Sequence, residues 1–499
     1  MGIPSYFRKI VKAYPNCIIR ETPKNVATLC FDFNCLIYRC LRSPSMPPYS
    51  HEGDKNEWEK LLLKEVASCI KEVWVAAGKP PNVFIGADGV VPMAKIRQQR
   101  VRRFKSAWQR DSSSWDTNAI TPGTEFMEKL NTMLEKEAAK HTRWIVSGTN
   151  KSGEGEHKIL SFLRNQPSTE EPIIVYGLDA DLILLTMLLS EEKKLSMYLL
   201  REKQEFGAPS QNEEGPQEYS LLSIHELKTL VNVTDYISAI NYVGLMSLMG
   251  NDFLPHSLTH KLSDDGHDFV IRELRKMKDT SNWLIDKNGC ITLPILRGIF
   301  SKWATTEETR IEEMVHKKQN QAKRGVLKGM NESEGLPLQW NVEACLFQRG
   351  KLRSDWRDIY WNWIYPYADR THVCEEYLRG FQWILDYYTG KPVNKEWMYP
   401  YWIPPLWSDL ESIHSLPLLK GCEGVKEPEP EEQLAMVLPI SSWTLIRDPS
   451  LKTLPYKCPQ LWPLKFDFFS AGRKWLWECE ALIPVLTAGR LRHILGKEV

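Results

Sequence analysis

The residues of this chain best placed for chemistry are carboxylates at the ends of apolar runs. The run 26–31 leads into Asp32, 83–87 into Asp88, and 173–178 into Asp179 and Asp181. A further run, 143–146, is followed by Gly153-Glu154-Gly155-Glu156, and Asp252 closes a helical pattern that begins near Tyr236. One acid in such a place is ordinary, because aspartate caps helices. Seven acids gathered at one edge of one sheet would repel each other unless cations lay between them, so the pattern calls for Mg²⁺ or Mn²⁺. Two such ions about 4 Å apart activate water and stabilise the leaving oxygen of a phosphodiester. Taken singly, the motifs have other readings. Asp179-Ala180-Asp181 fits a phosphatase with Asp179 as nucleophile, and Glu154 and Glu156 suit a helix N-terminus through its dipole. The phosphatase reading leaves Glu154, Glu156 and the basic segment described next unexplained. His157 and His256 read as hydrogen-bonding supports rather than general bases.

The second feature follows Asp88. A helix opened by Pro92 carries a basic run in which seven Lys and Arg residues meet no acid before Asp111. Counted at about 100° per residue from Lys95, Gln99 falls near +40°, Arg102 near −20° and Arg103 near +80°. These four donors share one face that can hold a phosphate. The competing reading is a solvated charged helix. A carboxylate just ahead of an unpaired basic run favours a polyanion held at one end and cut beside a metal at the other.

The elements that must position these groups alternate in type. Strands are expected at 26–33, 82–86, 143–146, 173–176 and 195–200, with helices between them at 58–77 and 122–140, the latter capped by Thr121 ahead of Pro122. This order predicts an α/β fold, a mainly parallel sheet with helices on both faces, and ligands at the carboxyl ends of the strands. Residues 1–262 are read as this core and 263–371 as a linker or helical lobe, with an exposed charged helix at 307–328 and a loop at 331–335. Residues 372–422 form an aromatic and proline-dense block that contains a helix at 375–388. An acidic Pro-rich linker at 423–432 then leads into a last apolar segment, 433–499.

Composition narrows the class. The 499 residues carry 64 Lys and Arg against 63 Asp and Glu. Affinity for nucleic acid must therefore come from local patches. Eleven cysteines, scattered without a CxxC pair, read as reduced core thiols of an intracellular protein rather than disulfides or a zinc site. No run is long and apolar enough to span a bilayer. Tyr6 stands where a myristoylation signal wants Ser or Thr.

The motifs MGIPSYFR, FDFNCLIY, GADGVVPMAKIRQQRVRRFKSA, ITPGTEFM, SGTNKSGEGEHKI, YGLDADLILL and GNDFLPH, in this order, resemble the first conserved region of the Xrn family of 5′→3′ exoribonucleases. YLRGFQWILDYYTGKP, EWMYPYWIPPLWSDL and EQLAMVLP resemble its second conserved region. The resemblance implies a flap-endonuclease-like core with an aromatic-rich second lobe. It further implies two divalent ions, Mg²⁺ or Mn²⁺, and processive removal of nucleotides from single-stranded RNA bearing a 5′-monophosphate. The enzyme implied is a monomer without membrane association that turns over decapped mRNA in the cytoplasm.

Carried over by position, the resemblance implies catalysis and metal ligation by Asp32, Asp88, Glu154, Glu156, Asp179, Asp181 and Asp252. It assigns the 5′-phosphate to Lys95, Gln99, Arg102 and Arg103, the helical face found above. Base stacking falls to Trp397 and to Tyr38, which stands where the family commonly has histidine. The chain departs from the family at Asn150 and Ser152, where members usually carry an acid and a proline ahead of the GEGE motif. It also ends soon after Leu495, so the barrel-like and winged-helix attachments of large members are expected to be missing, as is the Cys-rich knuckle of nuclear ones. A flap or gap endonuclease would share the acids. An inactive RNA-end binder would not need all seven.

Overall fold

A computed structural model describes residues 6–109, 114–177, 179–202, 218–322, 342–417 and 426–497. Its main sheet has seven strands among the described residues: β1 (Ile18–Ile19), β2 (Thr28–Asp32), β3 (Asn82–Gly86), β4 (Trp144–Ser147), β5 (Ile173–Tyr176), β6 (Met197–Glu202) and β7 (Tyr219–Ser223). Their order is β1-β7-β6-β5-β2-β3-β4. Strands β2 to β6 pair in parallel, while β7 runs antiparallel to β6 and β1 antiparallel to β7. The five strands expected from sequence are β2 to β6. The two antiparallel strands, β1 and β7, are additions, because a two-residue strand and the part-polar YSLLS carry little periodic signal.

Alternation along the strands fills two cores. Cys30, Phe84, Val175 and Leu199 lie in register and enter one. Leu29, Phe31, Val83, Ile85, Ile174 and Tyr176 point the other way into the second. Helices cover both faces, as a parallel sheet buried on each side requires. One layer includes α1 (Asn34–Cys40), Lys55–Ala76 and α3 (Glu125–Ala138), and the other α4 (Gly155–Asn165), α5 (Asp181–Lys193) and α6 (Tyr236–Ser247). From β2 the chain passes to β3 and β4, then returns to β5 and β6 on the other side of β2. The strand order thus reverses at β2, the place where open parallel sheets form their ligand crevice.

The basic helix, α2 (Met93–Gln109), is the hinge between this sheet and the later chain. Its first amide donates to Lys395 O at 2.8 Å, and Val91 N just ahead donates to Gln433 Oε1 at 2.9 Å. Ile96, Val101 and Phe104 share a core with Leu434 and Val437 of the helix α8 (Pro430–Val437) and with Leu461 and Leu491. The long aromatic helix α7 (Arg370–Thr389) ends in Gly390 at φ +78° and packs Tyr377, Phe381 and Tyr388 into the first core. Described residues between 263 and 371 include the helices His267–Thr280 and Leu293–Thr305, whose Leu274, Leu296 and Trp303 enter that same core.

Two local expectations change. Thr124, not Thr121, caps α3 by accepting from Met127 N, which leaves Thr121 free to bond Arg103. The helix Glu307–Ala322 is not exposed on all sides: Ile311, Met314 and Val315 are buried, as is an ion pair between Lys318 and Glu343 at 2.9 Å. Its charges mask a real apolar stripe. The loop expected at 331–335, and 423–425 of the expected linker, lie outside the described residues. Among the described residues no helix is long and apolar enough to cross a membrane, and the described cysteines are free thiols.

Candidate active site

Asp32 is the last residue of β2, and Asp88 stands two residues beyond β3. Asn34, in the first turn of α1, fixes Asp88: its Nδ2 donates to Asp88 Oδ2 at 3.0 Å while its Oδ1 accepts from Asp88 N at 3.3 Å. The other Asp88 oxygen accepts from Gly155 N at 2.7 Å, so a carboxylate sits on the amino end of α4 where its dipole is positive. The glycine between the two glutamates has a physical reason. A Cβ on Gly155 would lie 2.6 Å from Gly86 O and 2.7 Å from Asp32 Oδ1. Only a bare backbone lets α4 start this close to β2 and β3, with Glu154 and Glu156 on either side of the contact. The preceding turn, which holds Asn150 and Ser152, is tied down by Gly89 N donating to Gly153 O at 2.9 Å.

Asp181 opens α5 and is 3% exposed, yet its Oδ1 has no hydrogen-bond partner among the described residues. Asp252 sits in a tight turn in which Asn251 Oδ1 accepts from Phe253 N and Leu254 N at 2.9 and 2.8 Å. Gly250, at φ +101°, gives that turn its entry. Lys95 of α2 reaches into the group, with its Nζ 2.6 Å from Glu154 Oε2 and 2.7 Å from Asp252 Oδ2. Gln98 Nε2 donates to the other Asp252 oxygen at 3.2 Å.

The acids feel one another. Burial raises Asp32 well above the usual carboxylate range, and the Asp88 and Asp179 carboxylates push it further. Glu156 is raised well above it too, by burial and by Glu154. Burial and Asp252 lift Asp181 to about 7. Asp252 goes the other way: burial alone would raise it, but the Lys95 ammonium holds it low. All seven sequence-predicted acids thus belong to one interacting group. Glu154, Glu156 and His157 each bring a ligand atom within 4.8 Å of the others. Crowded buried carboxylates, of which Asp32, Glu156 and Asp181 are raised by burial and then by neighbouring acids, and of which Asp181 keeps one oxygen unpartnered among the described residues, fit a divalent cation.

The basic helix divides its charges between two jobs. On the predicted phosphate face, Lys95 points to the acids, and the positive charge of Arg102 helps to lower Asp252. Gln99 is buried with Oε1 unpartnered among the described residues. Arg103 donates to Thr121 Oγ1, and burial pulls it down to about 10. The opposite face is structural. Arg97 donates to Tyr401 O at 3.1 Å and lies 4.7 Å over the Trp402 ring. Arg100 donates to the carbonyls of Met436, Leu461 and Pro484, and Lys105 to Cys479 O.

Tyr38 is half-buried. Trp397 is half-buried, with its ring centroid 5.2 Å from that of Trp383 and its Nε1 donating to Glu376 at 3.4 Å. His256 keeps its support role by donating from Nδ1 to Ser257 O at 3.0 Å. His157 does not: its Nε2 has no partner among the described residues, and its ring lies 3.8 Å from that of Tyr387. Burial lowers it to about 3, so it is neutral at pH 7 and able to donate a lone pair. Its adjacency to GEGE was the available signal.

Residues 1–203 match the model of the XRN 5′-3′ exonuclease N-terminus, and residues 366–497 that of the Xrn1 helical domain. The chain is 26% identical to the human protein named 5′-3′ exoribonuclease 1, with 100% of this chain and 34% of that protein aligned. It is 24% identical to the Drosophila melanogaster 5′-3′ exoribonuclease 2 homolog, over 98% of this chain and 70% of that protein. It thus spans about a third of the length of the human relative. A solved catalytic core of Rad2 in complex with DNA substrate aligns over 57% of this chain and 75% of its own, at 15% identity and a TM-score of 0.32. Two matched regions of one family, one over β1 to β6 and α2 and the other over α7 and α8, establish that the chain belongs to the Xrn family of 5′→3′ exoribonucleases.

Proposed function

We propose that this chain hydrolyses single-stranded RNA processively from a 5′-monophosphate end, releasing mononucleotides. The observation that carries the reading is the meeting of Lys95, from the predicted phosphate face, with Glu154 and Asp252. That contact supports reading the basic face and the acids as one site. Lys95, Gln99, Arg102 and Arg103 hold the terminal phosphate, whose extra negative charge an internal phosphodiester lacks. Asp32, Asp88, Glu154, Glu156, Asp179, Asp181 and Asp252 hold two divalent ions, Mg²⁺ or Mn²⁺. When bound, such ions activate water and stabilise the leaving oxygen. Tyr38 and Trp397 stack on leading bases, fixing the scissile phosphate without reading sequence. On this reading a capped or triphosphate end is a poor substrate, which suits a monomeric enzyme acting on decapped mRNA in the cytoplasm.

The test is a time course on one RNA bearing a 5′-hydroxyl, monophosphate, triphosphate or cap, with Mg²⁺ or with chelator. Mononucleotide release from the monophosphate form alone, abolished by chelator, is expected. Internal cleavage products, or equal rates on all four ends, would overturn the reading.

A further inference from the structure

Helix α7 of the second region delivers one polar atom to the acidic site. Tyr387 donates its hydroxyl to Glu154 Oε1 at 2.9 Å, while the other Glu154 oxygen faces Lys95 at 2.6 Å. Both oxygens of a carboxylate that is 3% exposed are therefore aimed by named donors from two different elements. The phenol has little freedom to look elsewhere. Its ring lies 3.8 Å from that of His157 on one side and is stacked at 4.9 Å and 28° with Trp383 on another. Phe253, next to Asp252, meets it edge-on at 5.6 Å. Trp383 is itself fixed by Nε1 donating to Asn394 O at 2.8 Å, and it packs against Trp397. A continuous row of rings, His157, Tyr387, Trp383 and Trp397, thus runs from the acids to the tryptophan assigned to base stacking.

We propose that Tyr387 is a positioning residue that orients the Glu154 carboxylate for cation binding. The proposal rests on the reading above that Glu154 holds a divalent ion. A carboxylate held by one donor can rotate about its last bond and present either oxygen. Held by two donors on opposite oxygens, it keeps one plane, and the remaining lone pairs point in fixed directions. The ring row supplies the stiffness that makes a single hydroxyl effective, since a phenol confined by three aromatic neighbours loses little further entropy in making its bond.

The test uses the full chain and Tyr387→Phe, which keeps the ring row and removes only the hydroxyl. Mn²⁺ binding by calorimetry without RNA is expected to weaken by roughly ten- to a hundredfold, as for other groups that orient metal ligands. The kcat measured at limiting Mn²⁺ should fall and recover at high Mn²⁺, with KM for RNA and the thermal midpoint unchanged. Combined with Glu154→Gln, the substitution should add nothing further, because its effect passes through that carboxylate. If Tyr387→Phe binds Mn²⁺ as wild type does while Glu154→Gln does not, or if the two losses add, the positioning role is overturned and the metal-site reading stands. If Glu154→Gln binds Mn²⁺ normally, the metal-site reading falls and this inference falls with it.

Discussion

The Lys95 ammonium and the Glu154 carboxylate meet at 2.6 Å, joining the first turn of α2 to the residue that precedes α4. This contact makes the basic helix and the acidic sheet edge parts of one site. It also shapes the electrostatics: burial opposes a charged Lys95, yet Asp252 and Glu154 raise its affinity for the proton well above the ordinary lysine value. Lys95 therefore stays cationic throughout the neutral range.

Removing one acid should separate cutting from holding. Asp88→Ala and Asp181→Ala are expected to abolish hydrolysis while single-strand RNA affinity stays within a few-fold, because the basic face and aromatic rings remain. Filter binding and product release on the same preparations check this. Near-normal turnover in both variants would remove the acids from the chemistry.

End selection should depend on Arg102. With each charge-assisted bond contributing about 1.5 to 3 kcal/mol, Arg102→Ala should slow monophosphorylated RNA by roughly ten- to a hundredfold. RNA with a 5′-hydroxyl should change far less. The quantity to measure is the ratio of the two rates; an equal fall in both would make the helix a general RNA-binding surface.

Arg100, two residues earlier, should behave in the opposite way. Its guanidinium is buried and satisfies three backbone carbonyls. Arg100→Ala strands them, at about 1 to 3 kcal/mol for each unsatisfied group, so the urea midpoint should drop sharply. Lysine should not restore it, since an ammonium lacks the planar fork that reaches all three. A wild-type midpoint in Arg100→Ala would refute the structural role.

Stability should fall with pH because of Glu307. Burial raises its carboxyl to about 7, although Trp407 N and Ser408 Oγ each donate to it at 2.8 Å. In the unfolded chain the group titrates near about 4.3. Between those values the folded protein holds a proton that the unfolded chain has released, so this contribution is full below the lower value and lost as pH rises through the upper one. Glu307→Gln should remove that slope, narrowing the loss of stability between pH 5 and 7.5 by up to about 3 kcal/mol. Parallel urea-midpoint profiles for the two proteins would contradict it.

Much of the site was legible because it is written in short-range patterns. The runs that end in Asp32, Asp88 and Asp181 are β2, β3 and the approach to α5, since a buried parallel strand is a short continuous apolar stretch. The shared face of Lys95, Gln99, Arg102 and Arg103 follows from helical geometry alone. Sequence could not say which of the cations on α2 serve chemistry and which serve packing. Arg100 and Arg102 look alike in the chain, and what separates them is Pro484, a carbonyl 384 residues further on that meets only one of them. The same holds for Tyr387, whose neighbour Glu154 lies 233 residues away. Thr121 ahead of Pro122 looked like the cap of α3, yet Thr124 caps it and Thr121 accepts from Arg103 instead. Periodicity fixes which residues share a face. What that face meets depends on which distant segments find enough apolar surface to bury against it, and that balance is settled only when the whole chain packs.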